Sequence, residues 1–189
     1  TWFVLWVALA PLLRGRKIRE ATPPARQLVI EFLCSVRSIA VFSTVGLLTF
    51  LLARAGFLPG PQIAMGWGPV WFWTSLVLMM IGHDAWFYWT HRMIHDRRLF
   101  RTFHRRHHRS NNPSPFTAYS FDLGEAAITA LFVPLWMLVI PTRWEVVGLF
   151  MLHQIVRNTI GHSGYELYPA RRDGRPLLPF LTTVTHHDL

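Results

Sequence analysis

The chain is poor in everything that a soluble or disulfide-stapled domain would use. It has one cysteine, Cys34, which excludes an intramolecular disulfide and a thiolate cage for zinc or an iron–sulfur cluster. Cys34 itself reads as a small apolar residue of a membrane helix. It has one lysine, Lys17, and only 15% charged residues against 51% hydrophobic ones, a balance that makes lipid the expected solvent. It lacks a low-complexity linker and an internal repeat. It also lacks a dinucleotide-binding glycine pattern and a haem-attachment motif, so a flavin, nicotinamide or c-type haem site is not expected within it. The formal charge of +9 does not imply nucleic acid, because the arginines flank apolar segments instead of covering a soluble face.

What is present is a series of apolar runs separated by basic loops. Residues 1–13 read as the tail of a helix, and Arg14, Arg16, Lys17, Arg19 and Arg26 follow as a loop of cytoplasmic type. Residues 28–52 form a second expected span and residues 67–90 a third, since a bilayer core needs about 20 helical residues. The third span returns to a second basic loop containing Arg92, Arg97, Arg98, Arg101, Arg105, Arg106 and Arg109, on the same side as the first. Residues 126–140 and 144–160, joined by Pro141, Thr142 and Arg143, predict a helical hairpin or a pair of re-entrant helices. Trp67, Trp71, Trp86, Tyr88 and Trp144 sit near span ends and fit interfacial belts. The expected class is an all-α polytopic bundle of four or more transmembrane or re-entrant helices with a histidine-rich cap. The single domain is expected to cover 1–189 and to be truncated at both ends.

Eight of the ten histidines fall in short clusters: His91 and His95; His104, His107 and His108; His162; and His186 with His187. Positions four apart on a helix share a face, so His91 and His95 can reach one metal. Asp84, seven residues before His91, lies near the same stripe and is a candidate ligand or a carboxylate that orients an imidazole. The spacing of His104, His107 and His108 predicts one shared helical face. Five imidazoles within residues 91–108 exceed the needs of one tetrahedral zinc and point to two metals. Nitrogen ligation suits iron, copper, zinc and nickel alike. His153, alone in an apolar run, reads as a satisfied polar residue, and His83 is treated the same way with an additional-ligand role kept open. Arg92, Arg105 and Arg106 read as solvated charge or as partners for lipid phosphate or a redox protein.

From His83-Asp-Ala-Trp-Phe-Tyr-Trp-Thr-His91-Arg-Met-Ile-His95, through Phe103-His-Arg-Arg-His-His108 and Pro113-Ser-Pro-Phe-Thr-Ala118, to Asn158-Thr-Ile-Gly-His162-Ser-Gly-Tyr-Glu166 and Thr185-His-His-Asp-Leu189, the pattern resembles the fatty acid hydroxylase and sterol desaturase superfamily of membrane di-iron enzymes. The resemblance covers about half of the chain in spaced blocks. It implies that His91, His95, His104, His107, His108, His162 and His187 are metal ligands in a cytosol-facing cap. No catalytic residue apart from the ligands is implied; Asp84, Asn158, His186 and His83 remain candidates for outer positions or further ligation. The family's last box, His-x-x-His-His, begins here at His187, so two more ligands are expected past Leu189. Asn158 stands where some members have histidine, and Asp122-Leu-Gly-Glu125 departs from the family's His-Pro-x-Glu, which leaves the role of Asp122 open.

The implied cofactors are two iron ions with O2 as co-substrate, and the implied partners are a lipid substrate, the membrane and an external ferredoxin-like or cytochrome-type electron donor, without nucleic acid. The implied reaction is hydroxylation or desaturation of a lipid C–H bond. The alternatives from other classes are a metal transporter or sensor, whose ligands should lie mid-bilayer, and a zinc-dependent membrane hydrolase. The excess of arginine over lysine adds the expectation of a bacterial inner membrane with the metal site facing the cytoplasm.

Overall fold

The structure is a computed structural model that describes residues 8–18, 21–58, 60–110, 112 and 114–167. Among these residues it is helical, with one isolated β-bridge between Lys17 and Tyr165 and no strand. The helices are α1 (Ala10–Leu13), α2 (Ala25–Arg54), α3 (Gly60–Met65), α4 (Pro69–Ile94), α5 (Phe100–Phe103), α6 (Leu123–Ala130), α7 (Phe132–Val139) and α8 (Trp144–Gly161). Residues 1–7 of the expected first span and the pair His186 and His187 lie outside the described residues.

At a rise of about 1.5 Å per residue the 30 residues of α2 are long enough to cross a hydrocarbon core of roughly 30 Å. It is the one helix among the described residues that is long and apolar enough for this by length and composition. Phe32, Leu33, Val36, Ile39, Leu47, Leu48 and Leu51 leave their side chains exposed along it. Residues 69–90 of the expected third span lie in α4, which is not apolar enough to count as a span by composition and starts with Pro69 after Gly68, where the missing N–H costs no helical hydrogen bond. The expected hairpin appears as α6 and α7 followed by α8. The first stretch is interrupted at Leu131 because Pro134 has no N–H and its ring crowds the carbonyl four residues back.

The described residues divide into two compact units, one drawn from residues 8–36, 106–120 and 155–167 and one from residues 37–105 and 121–154. The core of the second joins Leu76 and Met79 of α4, Phe132 and Met137 of α7, and Val146, Val147 and Phe150 of α8. Two tryptophans expected at an interface tie this unit together as donors: Trp71 Nε1 donates to the Pro141 carbonyl at 2.8 Å, and Trp86 Nε1 to that of Ile128 at 3.3 Å. In the first unit the fully buried Glu31 of α2 accepts hydrogen bonds from Gln27 Nε2 and Ser114 Oγ, both at 2.7 Å. Ser35 Oγ donates to the Phe116 carbonyl at 2.6 Å, so the turn Thr117–Tyr119 is pinned to the helix by polar bonds.

Candidate metal centre

α4 ends where His95 N–H bonds the His91 carbonyl, so the two imidazoles project from its last turn on one face. Their Nε2 atoms are 3.2 Å apart. His104 enters from the end of α5, where His104 N–H and Arg105 N–H both bond the Phe100 carbonyl and close the helix. The three rings form a triangle with centroids 4.7 Å apart for His91 and His95, 4.5 Å for His91 and His104, and 4.7 Å for His95 and His104. One ligand nitrogen from each lies within 4.8 Å of the others. Two imidazole nitrogens bound to one ion at about 2.0–2.1 Å stand about 2.8–3.4 Å apart for right-angle to tetrahedral geometry, so the observed 3.2 Å fits a shared transition metal.

His104 is fully buried, and its Nδ1 is 2.9 Å from Oε1 of Glu125, itself 4% exposed. Burial pushes the His104 imidazole down to about 4, against a smaller upward pull from Asp122. Burial, and then the nearby Asp122 charge, push the Glu125 carboxyl up to about 9. Both groups are therefore neutral at neutral pH, an uncharged imidazole beside a protonated carboxyl. Partial burial, then the charge of His104, lower His95 as well, which favours its neutral, metal-binding form. Glu125 is a residue that the sequence reading missed as a site member. Its carboxyl sits behind the His104 ring, 2.9 Å from Nδ1, a place from which an acidic side chain can orient an imidazole.

A glycine makes this contact. A Cβ on Gly124 would run into the Phe103 ring, so glycine lets that ring settle on α6 and place the next residue, His104, against Glu125. The shared helical face predicted for His104, His107 and His108 is not formed. α5 stops at Phe103, and His107 and His108 lie in a separate 3-10 turn, His107–Arg109, because the burial of His104 against Glu125 draws the chain out of helix.

The first unit brings a second set together. His107 and His162 have ring centroids 5.4 Å apart, and His107 and His108 6.0 Å. His162 is buried, and its Nδ1 lies 2.9 Å from the Asn158 carbonyl one turn earlier, an arrangement that orients Nε2 for ligation when Nδ1 carries the proton. The Asn158 side chain donates to the Ala118 carbonyl at 2.6 Å and also meets Tyr119, so it ties α8 to the neighbouring turn. His83 lies among Phe87, Phe132 and Phe150, with the latter two ring centroids at 5.1 and 5.2 Å, a core position. Asp84 is half exposed, with Oδ1 3.9 Å from His83 Nδ1, and the carboxylate against the three-histidine cluster is Glu125. His153 is half-buried in α8.

The family profile described as fatty acid hydroxylase matches residues 76–189. Similar proteins include the fatty acid hydroxylase domain-containing protein 2 of Homo sapiens, 24% identical over 62% of this chain and 32% of its own. The lathosterol oxidase of Mus musculus is 28% identical over 65% of this chain and 38% of its own. A Delta(7)-sterol 5(6)-desaturase of Gibberella zeae is 26% identical over 66% and 36% respectively. The chain thus spans about a third of the length of these curated relatives. No solved structure matches the chain. With the profile covering more than half of the residues and all of the histidine clusters, the chain belongs to the fatty acid hydroxylase family.

Proposed function

We propose that this chain is the metal-binding part of a membrane oxidoreductase that uses O2 to hydroxylate or desaturate a C–H bond of a fatty acyl or sterol-like lipid at a non-haem di-iron site. The observation that carries the reading is the triangle of His91, His95 and His104, with two Nε2 atoms at the separation of ligands on one ion. The names of the relatives, which include an oxidase and a desaturase of sterols, favour a lipid as substrate.

In this reading His91, His95 and His104 hold one iron, and His107, His108, His162 and His187 supply ligands for a second. Bound iron would supply activation of O2 with electrons from a separate ferredoxin-like or cytochrome-type donor. The residues of the chain do the rest. Glu125 stands behind His104 with its carboxyl 2.9 Å from Nδ1, where it would hold the imidazole with Nε2 toward the metal. The neutral state of His104 leaves its ligand lone pair available down to mildly acidic pH. Glu31, Ser114 and Ser35 hold the loop that follows the second histidine set. On the same reading α2 crosses the bilayer, and α4 returns the chain as the spacing of the two basic loops along the sequence suggests, although its composition is less apolar than a span requires. The basic loops face the cytoplasm, and in a bacterium that membrane is the inner one.

The full-length protein, purified in detergent, is expected to consume O2 only when both a reductant and a lipid are supplied, and to lose that activity in a His91→Ala variant. Hydrolysis of a lipid or carbonyl substrate without O2, supported by zinc, would replace this reading with a hydrolase.

A further inference from the structure

Between α4 and α7 runs an open groove of about 340 Å³. Gly82, Ala85, Trp89 and Met93 form its α4 side, at the three- and four-residue steps of one helical stripe, and Phe132 and Trp136 form its α7 side. His91 and His95 each lie two residues from Met93, about 200° round the helix at 100° per residue, so the groove is on the face of α4 turned away from the metal ligands.

We propose that this groove binds one acyl chain of an anionic phospholipid whose headgroup is held by Arg92. The proposal rests on the membrane reading of α4 given above, and not on the iron chemistry.

Three features select this occupant. First, the walls are preformed and offer an alkyl surface. A Cβ at Gly82 would run into the Trp136 ring, so glycine lets that indole lie against α4. Three polar side-chain groups along the walls bond within the protein: Trp136 Nε1 donates to Thr142 Oγ1 at 3.0 Å, Trp86 Nε1 to the Ile128 carbonyl at 3.3 Å, and Thr90 Oγ1 to the Trp86 carbonyl at 2.8 Å. A hydrocarbon chain laid along these walls gains contact with three indoles, those of Trp86, Trp89 and Trp136. Second, the stripe from Gly82 to Met93 rises eleven residues, about 16 Å, close to half of a hydrocarbon core of roughly 30 Å. That is the depth of one leaflet and the reach of one chain. Third, the Met93 end carries a cation. The Arg92 guanidinium sits 5.8 Å from the ring centroid of Trp89, a wall of the groove, and donates to Tyr88 Oη at 3.1 Å. It is fixed at the end that leads into the basic loop, where a phosphate headgroup lies.

The test is native mass spectrometry of the full-length protein in detergent after addition of phosphatidylglycerol or phosphatidylcholine, with iron per chain measured on the same samples. The parent is expected to retain one phosphatidylglycerol with about fivefold preference, the contribution of one basic residue at an anionic surface. Ala85→Phe fills the groove and should lose the retained lipid, and Arg92→Gln should keep a lipid but lose the preference, both with unchanged metal content. Equal retention of the two lipids by the parent would overturn the proposal, as would parent-like retention in Ala85→Phe. A parental dimer that Ala85→Phe dissociates would assign the groove to a second copy instead. Extraction of the protein from membranes by alkaline carbonate would refute the membrane reading itself, whatever the lipid result.

Discussion

Replacing Glu125 by leucine removes the carboxyl that lies behind His104 in the three-histidine cluster. The carboxyl lies 2.9 Å from His104 Nδ1, with the imidazole at 0% and the carboxyl at 5% side-chain exposure, so water does not take its place without opening the unit. Leucine removes the acceptor and leaves a buried Nδ1–H, which costs about 1–3 kcal/mol when His104 binds metal through Nε2. Loss of such a partner behind a ligand histidine lowers metal affinity about 10–100-fold, of the same size as that energy. Glutamine keeps a carbonyl acceptor at the same reach and should retain most of the affinity. The assay is competition for iron(II) or cobalt(II) against a chromophoric chelator, on the full-length protein in detergent, for the parent, Glu125→Gln and Glu125→Leu. Parent-like affinity in Glu125→Leu would refute the positioning role. A loss in Glu125→Gln as large as in Glu125→Leu would show that negative charge, and not the hydrogen bond, is what the histidine needs.

Further predictions concern the scaffold and the proton. Gly124→Ala places a Cβ against the Phe103 ring and should displace α5, with metal affinity reduced at least as far as in Glu125→Leu and the Tm lowered; unchanged values for both would contradict the close approach. In the metal-free protein Glu125 holds its proton up to about 9 while the unfolded carboxyl releases it near 4.5. The folded state thus binds the extra proton between those values, and its stability falls as pH rises through that window. Thermal unfolding at pH 6 and pH 8.5 should show that fall for the parent and a smaller one for Glu125→Gln; parallel behaviour would sink the assignment. Ser114→Ala leaves the buried Glu31 carboxylate with one donor fewer and should destabilise the first unit by about 1–3 kcal/mol, read as earlier protease cleavage after residue 105.

The parts of this site that rest on local spacing were legible. His91 and His95 stand four apart within a continuous apolar helix, and the turn of that helix alone brings them together. α2 was legible for a similar reason, a long apolar run with charge only near its start. The position of His104 was not, because its neighbours in sequence suggested a helix shared with His107 and His108, whereas a tertiary contact with Glu125 ends α5 at Phe103. Glu125 itself lies 21 residues further along, and the available signal was a carboxylate at the head of an otherwise apolar stretch, where a charge is costly without a purpose. Gly124 carries meaning only once Phe103 is seen against it. The tryptophans were read as an interfacial belt from their places near span ends; that Trp71 and Trp86 donate to backbone carbonyls of other segments depends on packing that sequence periodicity does not encode. The roles proposed for His186 and His187 concern residues outside those described.

The central claim is that the chain's two imidazole sets hold iron. The most direct measurement is elemental analysis of the full-length protein, expressed with iron and purified in detergent, beside a His91→Ala, His104→Ala variant and a His107→Ala, His108→Ala variant. The account predicts close to two irons per chain in the parent and a clear loss in each variant. A parent with no metal, or with a single zinc that neither variant removes, would contradict it.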